Sequence, residues 1–128
     1  MGTFIDKLTR CALLLALLAC GHSARTGPEI SPQAVLAFAG QSGAPLVLDV
    51  RSAEEFTSGH VPGARNIAFD QVAAHIAELG APGEVVVYCE HGGRAAKAAE
   101  VLSRAGFRVQ HLTGDMSGWR EQGLPIER

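Results

Sequence analysis

From residue 30 onward, short apolar runs alternate with stretches whose apolar residues recur at helical spacing. Leu46-Val47-Leu48 reads as a short buried strand ending at Asp49. Glu84 to Cys89 (EVVVYC) is a continuous apolar run with no alternation, which predicts a central strand covered on both faces. Phe107 to Leu112 reads as a further strand. Between them, Ser31-Pro32 supplies a helix cap and a proline at the first helical position. The helix that follows carries Val35, Leu36 and Phe38 and stops near Gly40. Ser52, with Glu55 three residues on, predicts one capped turn through Phe56. Gly59 to Asn66 reads as a loop, and Asp70 as the cap of a helix to about Leu79 with Val72, Ile76 and Leu79 on one stripe. Arg94 to Arg104 reads as a helix closed by Gly106, and Asp115 to Gln122 as a last short helix with Trp119 on its apolar side. Strands alternating with helices predict a single α/β domain, a mostly parallel central sheet flanked by helices on both faces. No internal repeat is present.

The N-terminus breaks this pattern. Lys7 and Arg10 precede Cys11 to Ala19 (CALLLALLA), an unbroken apolar run without an amphipathic stripe. Nine helical residues rise about 13–14 Å, roughly half a bilayer core. The run is too short to span a membrane and suits the apolar region of a signal peptide. It ends Leu17-Leu18-Ala19-Cys20, which resembles the lipobox of bacterial lipoproteins. That resemblance implies lipidation at Cys20, export to the cell envelope or periplasm, and a lipid anchor; plain secretion with cleavage nearby is the alternative. The expected organisation is a signal peptide over 1–19, a flexible tether over 20–29 (small, polar and breaker-rich from Gly21 to Pro28), and one domain over 30–128.

Composition narrows the function. The 128 residues are 47% hydrophobic and 19% charged, enough to bury a core and exclude wholesale disorder. A formal charge of −2 gives no electrostatic footprint for nucleic acid. Three cysteines exclude a disulfide framework. With Cys11 in the signal and Cys20 lipidated, Cys89 stands alone, either buried and inert or retained for its reactivity. His22, His75 and His111 are scattered, so no metal constellation and no cofactor are expected.

Cys89 sits where the central strand stops and a helix begins, outside the carboxyl end of a parallel strand, where ligands bind in such sheets. The loop is Cys89-Glu90-His91-Gly92-Gly93-Arg94. The glycine pair lets the backbone curl so that several N–H groups point at one spot, and the helix start adds its own amides and dipole end. That geometry favours a thiolate and binds an anion beside it. Arg94 adds charge and a forked donor. Glu90 works the other way, repelling a dianion if it faces the pocket, and a protonated His91 would offset it.

Two blocks resemble the rhodanese-like sulfurtransferase family over roughly residues 30–127. One is Leu46 to Ile67 (LVLDVRSAEEFTSGHVPGARNI). The other is Val85 to Trp119, holding a cysteine and an arginine with four residues between them, a helix, a Gly-Phe turn, and Gly114 and Trp119; Gly114-Asp115 replaces the family's usual glycine pair. The resemblance implies that Cys89 is the catalytic nucleophile, taking a sulfane sulfur from a small-molecule donor such as thiosulfate or a polysulfide and passing it to an acceptor through a persulfide. It implies that the segment Glu90, His91, Gly92, Gly93, Arg94 binds the substrate, and that Asp49, Arg51 and His60 are supports rather than catalysts. The expected form is a monomer. A phosphatase of this fold would hold five residues between cysteine and arginine, where Glu90 to Gly93 are four. A sulfur carrier or redox relay without turnover is the alternative reading.

Overall fold

The computed structural model describes residues 27–128. The expected signal peptide over 1–19, the expected lipidation at Cys20 and the expected tether up to residue 26 lie outside the described residues. Five strands, β1 (Glu29–Ile30), β2 (Leu46–Asp49), β3 (Arg65–Asn66), β4 (Glu84–Tyr88) and β5 (Arg108–Leu112), form one sheet in the order β1-β5-β4-β2-β3. Every pairing is parallel. The helices are α1 (Pro32–Phe38), α2 (Ala53–Ser58), α3 (Val72–His75), α4 (Gly93–Arg104) and α5 (Asp115–Glu121).

The unalternating run at β4 is the central strand, as its composition required. Its side chains divide between two cores. Val85, Val87 and Cys89 pack with Ala95, Ala98, Ala99 and Leu102 of α4 on one face. Val86 and Tyr88 pack with Val35, Leu112, Met116 and Trp119 on the other. A strand buried on both faces has no polar side to show, hence the missing alternation.

Several caps form as their residues dictate. The Ser31 hydroxyl accepts the Ala34 N–H, with Pro32 opening α1. Ser52 and Glu55 form a reciprocal capping box at α2. Asp70 does not cap α3. It is exposed, and Gln71 occupies the cap position in a near-helical conformation (φ −106°, ψ −7°) with no side-chain bond. The expected helix is therefore one α turn, continued as a 3-10 turn over Ile76–Leu79. Its stripe still faces inward: Val72 is buried, and Ile76 and Leu79 lie against the α4 core. Two strands lie where the pattern predicts none, β3 inside the predicted loop and β1 at the end of the predicted tether. Each is two residues long and sits at a sheet edge, too short to show a period.

Candidate active site

The carboxyl ends of β2, β4 and β5 converge on one side of the sheet. β4 delivers Cys89, which is 1% exposed and is the free thiol among the described residues. The chain then turns through Gly92 at φ +104°, a conformation open to glycine, and enters α4. The turn brings the Gly92 N–H to 3.0 Å from the Cys89 Sγ, and the first turn of α4 brings the Ala95 N–H to 3.4 Å. The sulfur thus accepts from one loop amide and from one amide just past the Glu90–Arg94 segment. Gly93 opens the helix, and His91 is exposed.

The backbone around the sulfur is held from α5. The Cys89 N–H donates to Asp115 Oδ1 at 3.0 Å. The Cys89 and Glu90 carbonyls accept from the N–H groups of Met116 (2.9 Å) and Ser117 (3.2 Å). α5 is itself anchored by Trp119, fully buried, whose indole N–H donates to the Pro125 carbonyl at 2.8 Å.

The loop's charges are matched rather than open. Arg94 makes a forked contact with Glu55 of α2, at 2.6 and 2.9 Å. This hydrogen bond is the main reason the Glu55 carboxyl is held down to about 2, with burial opposing and the Ser52 amide assisting; the same bond raises Arg94. Glu55, the predicted cap residue of α2, both closes the capping box and pairs with Arg94. Glu90 is neither free in solvent nor aimed alone at the sulfur: it pairs with Arg51 at 3.4 Å and with Arg120 of α5. Arg120 was not singled out by the sequence, where it reads as an ordinary basic residue near a helix end.

Asp49 and Arg51 are buried, and the Asp49 carboxylate accepts from the Arg51 Nε and Nη2, the latter at 2.7 Å. Arg51 also donates to the Gly59 carbonyl at 2.8 Å. Burial works against the guanidinium charge, and Asp49 outweighs it, leaving Arg51 above its ordinary value. Beside them Tyr88, fully buried, accepts the Val61 N–H at 3.1 Å; burial, with the Asp49 charge next in weight, pushes its phenol up. His60 stacks on Phe56 with ring centroids 3.7 Å apart, and its Nδ1 lies 2.9 Å from the Phe56 carbonyl, so that nitrogen carries the proton. Its backbone bridges to Glu127. The ring thus packs on Phe56 by one face and brings its Nε2 to 3.6 Å from the Glu127 carboxylate, tying α2 to the C-terminal segment.

This combination of parallel sheet, cysteine loop at the central strand and helix start defines a recognisable class of domain. A Rhodanese-like domain matches residues 31–122, and the chain belongs to that family. Among relatives, a thiosulfate sulfurtransferase GlpE of Pseudomonas putida is 38% identical over 95 residues, covering 72% of this chain and 84% of its own. An HTH-type transcriptional regulator of Mycobacterium tuberculosis is 36% identical over 89 residues, 68% of this chain; the chain spans only 39% of that regulator. Among solved structures, a rhodanese-related protein from Thermoplasma volcanium superposes with a TM-score of 0.69 at 28% identity, covering 78% of this chain and 97% of that one. The family and its sulfurtransferase relatives support a sulfur-transfer role.

Proposed function

We propose that this protein is a sulfurtransferase that carries sulfane sulfur as a persulfide on Cys89. One observation carries the reading: the Cys89 sulfur is buried at a strand end under the N–H groups of Gly92 and Ala95, where negative charge on sulfur finds hydrogen bonds. In the loading step the Cys89 thiolate attacks the outer sulfur of the donor. For thiosulfate, the bond to the central sulfur breaks, sulfite leaves with the bonding pair, and a persulfide remains. In the second step an acceptor such as cyanide attacks the terminal sulfur, leaves as thiocyanate, and restores the thiolate. The charge balances in each displacement, and no base is required.

The charge pairing bears on the donor. Arg94 is engaged by Glu55, and Arg51 and Arg120 by Glu90. A thiosulfate dianion must compete with these carboxylates, whereas a singly charged hydropolysulfide or small persulfide meets less repulsion. Asp49, Arg51 and His60 support the loop, and Glu90 to Arg94 line the approach to the sulfur. The protein works at the cell envelope as a monomer, lipid-anchored through Cys20. Its partners are small-molecule donor and acceptor, without nucleic acid.

Mass spectrometry after exposure to thiosulfate or polysulfide tests the reading. The protein should gain about 32 Da at Cys89, and cyanide should remove it. Cys89→Ser should abolish the gain. A folded wild-type protein unmodified by either donor overturns the proposal. Repeated turnover with cyanide separates an enzyme from a carrier, which would load once and discharge only to its own acceptor. For the anchor, the mature protein should partition into detergent and lose that behaviour in Cys20→Ser; an intact Met1 on envelope-derived protein counts against it.

A further inference from the structure

Asp115 stands out from the rest of the backbone. It is the non-glycine residue with positive φ (+54°) among the described residues, and it is 2% exposed. The left-handed region disfavours a side chain, although aspartate is among the residues that tolerate it. The turn leaves little freedom to relax. Gly114 precedes it at φ +81°, and a Cβ there would lie 3.2 Å from the Gly118 Cα. An acidic residue in the first turn of a helix ordinarily serves that helix's own amides. Here the Asp115 side chain reaches to β4 instead, and Oδ1 accepts the Cys89 N–H at 3.0 Å. The next two amides of α5 bind the carbonyls of Cys89 and Glu90. The peptide groups on both sides of the Cys89 Cα are therefore tied to α5.

We infer that Asp115 is a positioning residue for Cys89, its carboxylate fixing the nucleophile's backbone so that Sγ stays beneath the Gly92 and Ala95 amides. The direction of the Cys89 Cβ follows from its two peptide groups. Hydrogen bonds of 3.0 and 3.4 Å to sulfur lose their alignment if that direction drifts. The inference rests on the reading of Cys89 as the nucleophile, and it names a residue outside the cysteine loop that sets the loop's precision.

Comparing Asp115→Asn with Asp115→Gly isolates the bond. Both remove the charge; asparagine keeps an acceptor and tolerates left-handed backbone, whereas glycine relieves the strain and deletes the acceptor. The first readout is alkylation of Cys89 by iodoacetamide at the high-pH plateau, which needs no sulfur transfer. The second is kcat and KM with thiosulfate and cyanide. The asparagine variant should stay within about 3-fold of wild type in both. The glycine variant should fall about 10-fold below the asparagine variant in plateau rate and kcat, with KM changed by less than about 3-fold. If the glycine variant is only marginally folded, the same comparison is made in a stabilising osmolyte, because alanine at this φ would add strain as well as delete the acceptor. Equal plateau rates in the variants with and without the acceptor overturn the inference. If wild type alkylates but takes up no sulfur, the proposed function fails, and the alkylation comparison alone decides the role of Asp115.

Discussion

At the scale of single residues, the site is a set of charges that answer one another. Glu90 adjoins the nucleophile and holds Arg51 and Arg120. Glu90→Gln removes one negative charge and releases Arg120, while Arg51 keeps Asp49, so Cys89 should become more receptive to anions. The rate ratio of iodoacetate to iodoacetamide at Cys89 should rise about 3-fold or more at low salt and less at high salt. An unchanged ratio would mean that Glu90 does not shape the approach. Asp49 is a different case. Its carboxylate neutralises a guanidinium that is 1% exposed. Asp49→Asn leaves Arg51 charged, buried and poorly matched, at a cost on the order of 3 kcal/mol. Denaturant titration should show that loss, and turnover should fall no further than stability does. A fully stable, inactive variant would point to a direct catalytic role.

Between elements, the main electrostatic link from α2 to α4 is Glu55 with Arg94. The Arg94 hydrogen bond lowers the Glu55 carboxyl from an ordinary value of 4.5 to about 2. A carboxyl depressed in the folded state binds its proton more weakly than in the unfolded chain. Its stabilisation is complete above the unfolded value and fades as pH falls toward about 2. The pair is about one-third exposed, so solvent and salt screen it and the effect is small, under about 1 kcal/mol. Urea denaturation of wild type and Glu55→Gln should therefore differ at pH 6 and converge as pH drops below about 3. A difference that persisted at low pH would belong to the capping box rather than the ion pair.

For the whole molecule, the sheet separates two cores, and the site depends on both. The α4 face carries the cysteine loop's second half, and the α1–α5 face carries the clamp on Cys89. Trp119 is the single tryptophan of the chain and lies wholly inside the second core. Trp119→Ala should cost about 3–5 kcal/mol, from lost burial and the cavity left behind. It should also slow Cys89 alkylation in the protein that remains folded, because α5 then holds the Cys89 and Glu90 carbonyls less firmly. Thermal melts paired with alkylation at low temperature check both. A large stability loss with an unaltered alkylation rate would separate the α5 core from the site.

The central strand, the Ser31 and Ser52 caps, the parallel α/β layout and the cysteine loop are legible in the order of residues. Each is a local signal: apolar run, cap residue, glycine pair. The Asp49–Arg51 pairing was legible for the same reason, because two residues of one extended segment share a side. Partners that lie far apart in the chain are set by the three-dimensional packing of the sheet and helices. Glu55 meets Arg94 across 39 residues, Glu90 meets Arg120 across 30, and Asp115 meets the Cys89 amide across 26. No period or motif encodes such distances. They follow from the parallel order of the strands, which brings the loops after β2, β4 and β5 to the same edge of the sheet. The short edge strands and the failed Asp70 cap belong to the same class. Two-residue strands exist only because a neighbour supplies their hydrogen bonds, and Asp70 did not cap because packing of Val72 and Ile76 against α4 set where the helix began.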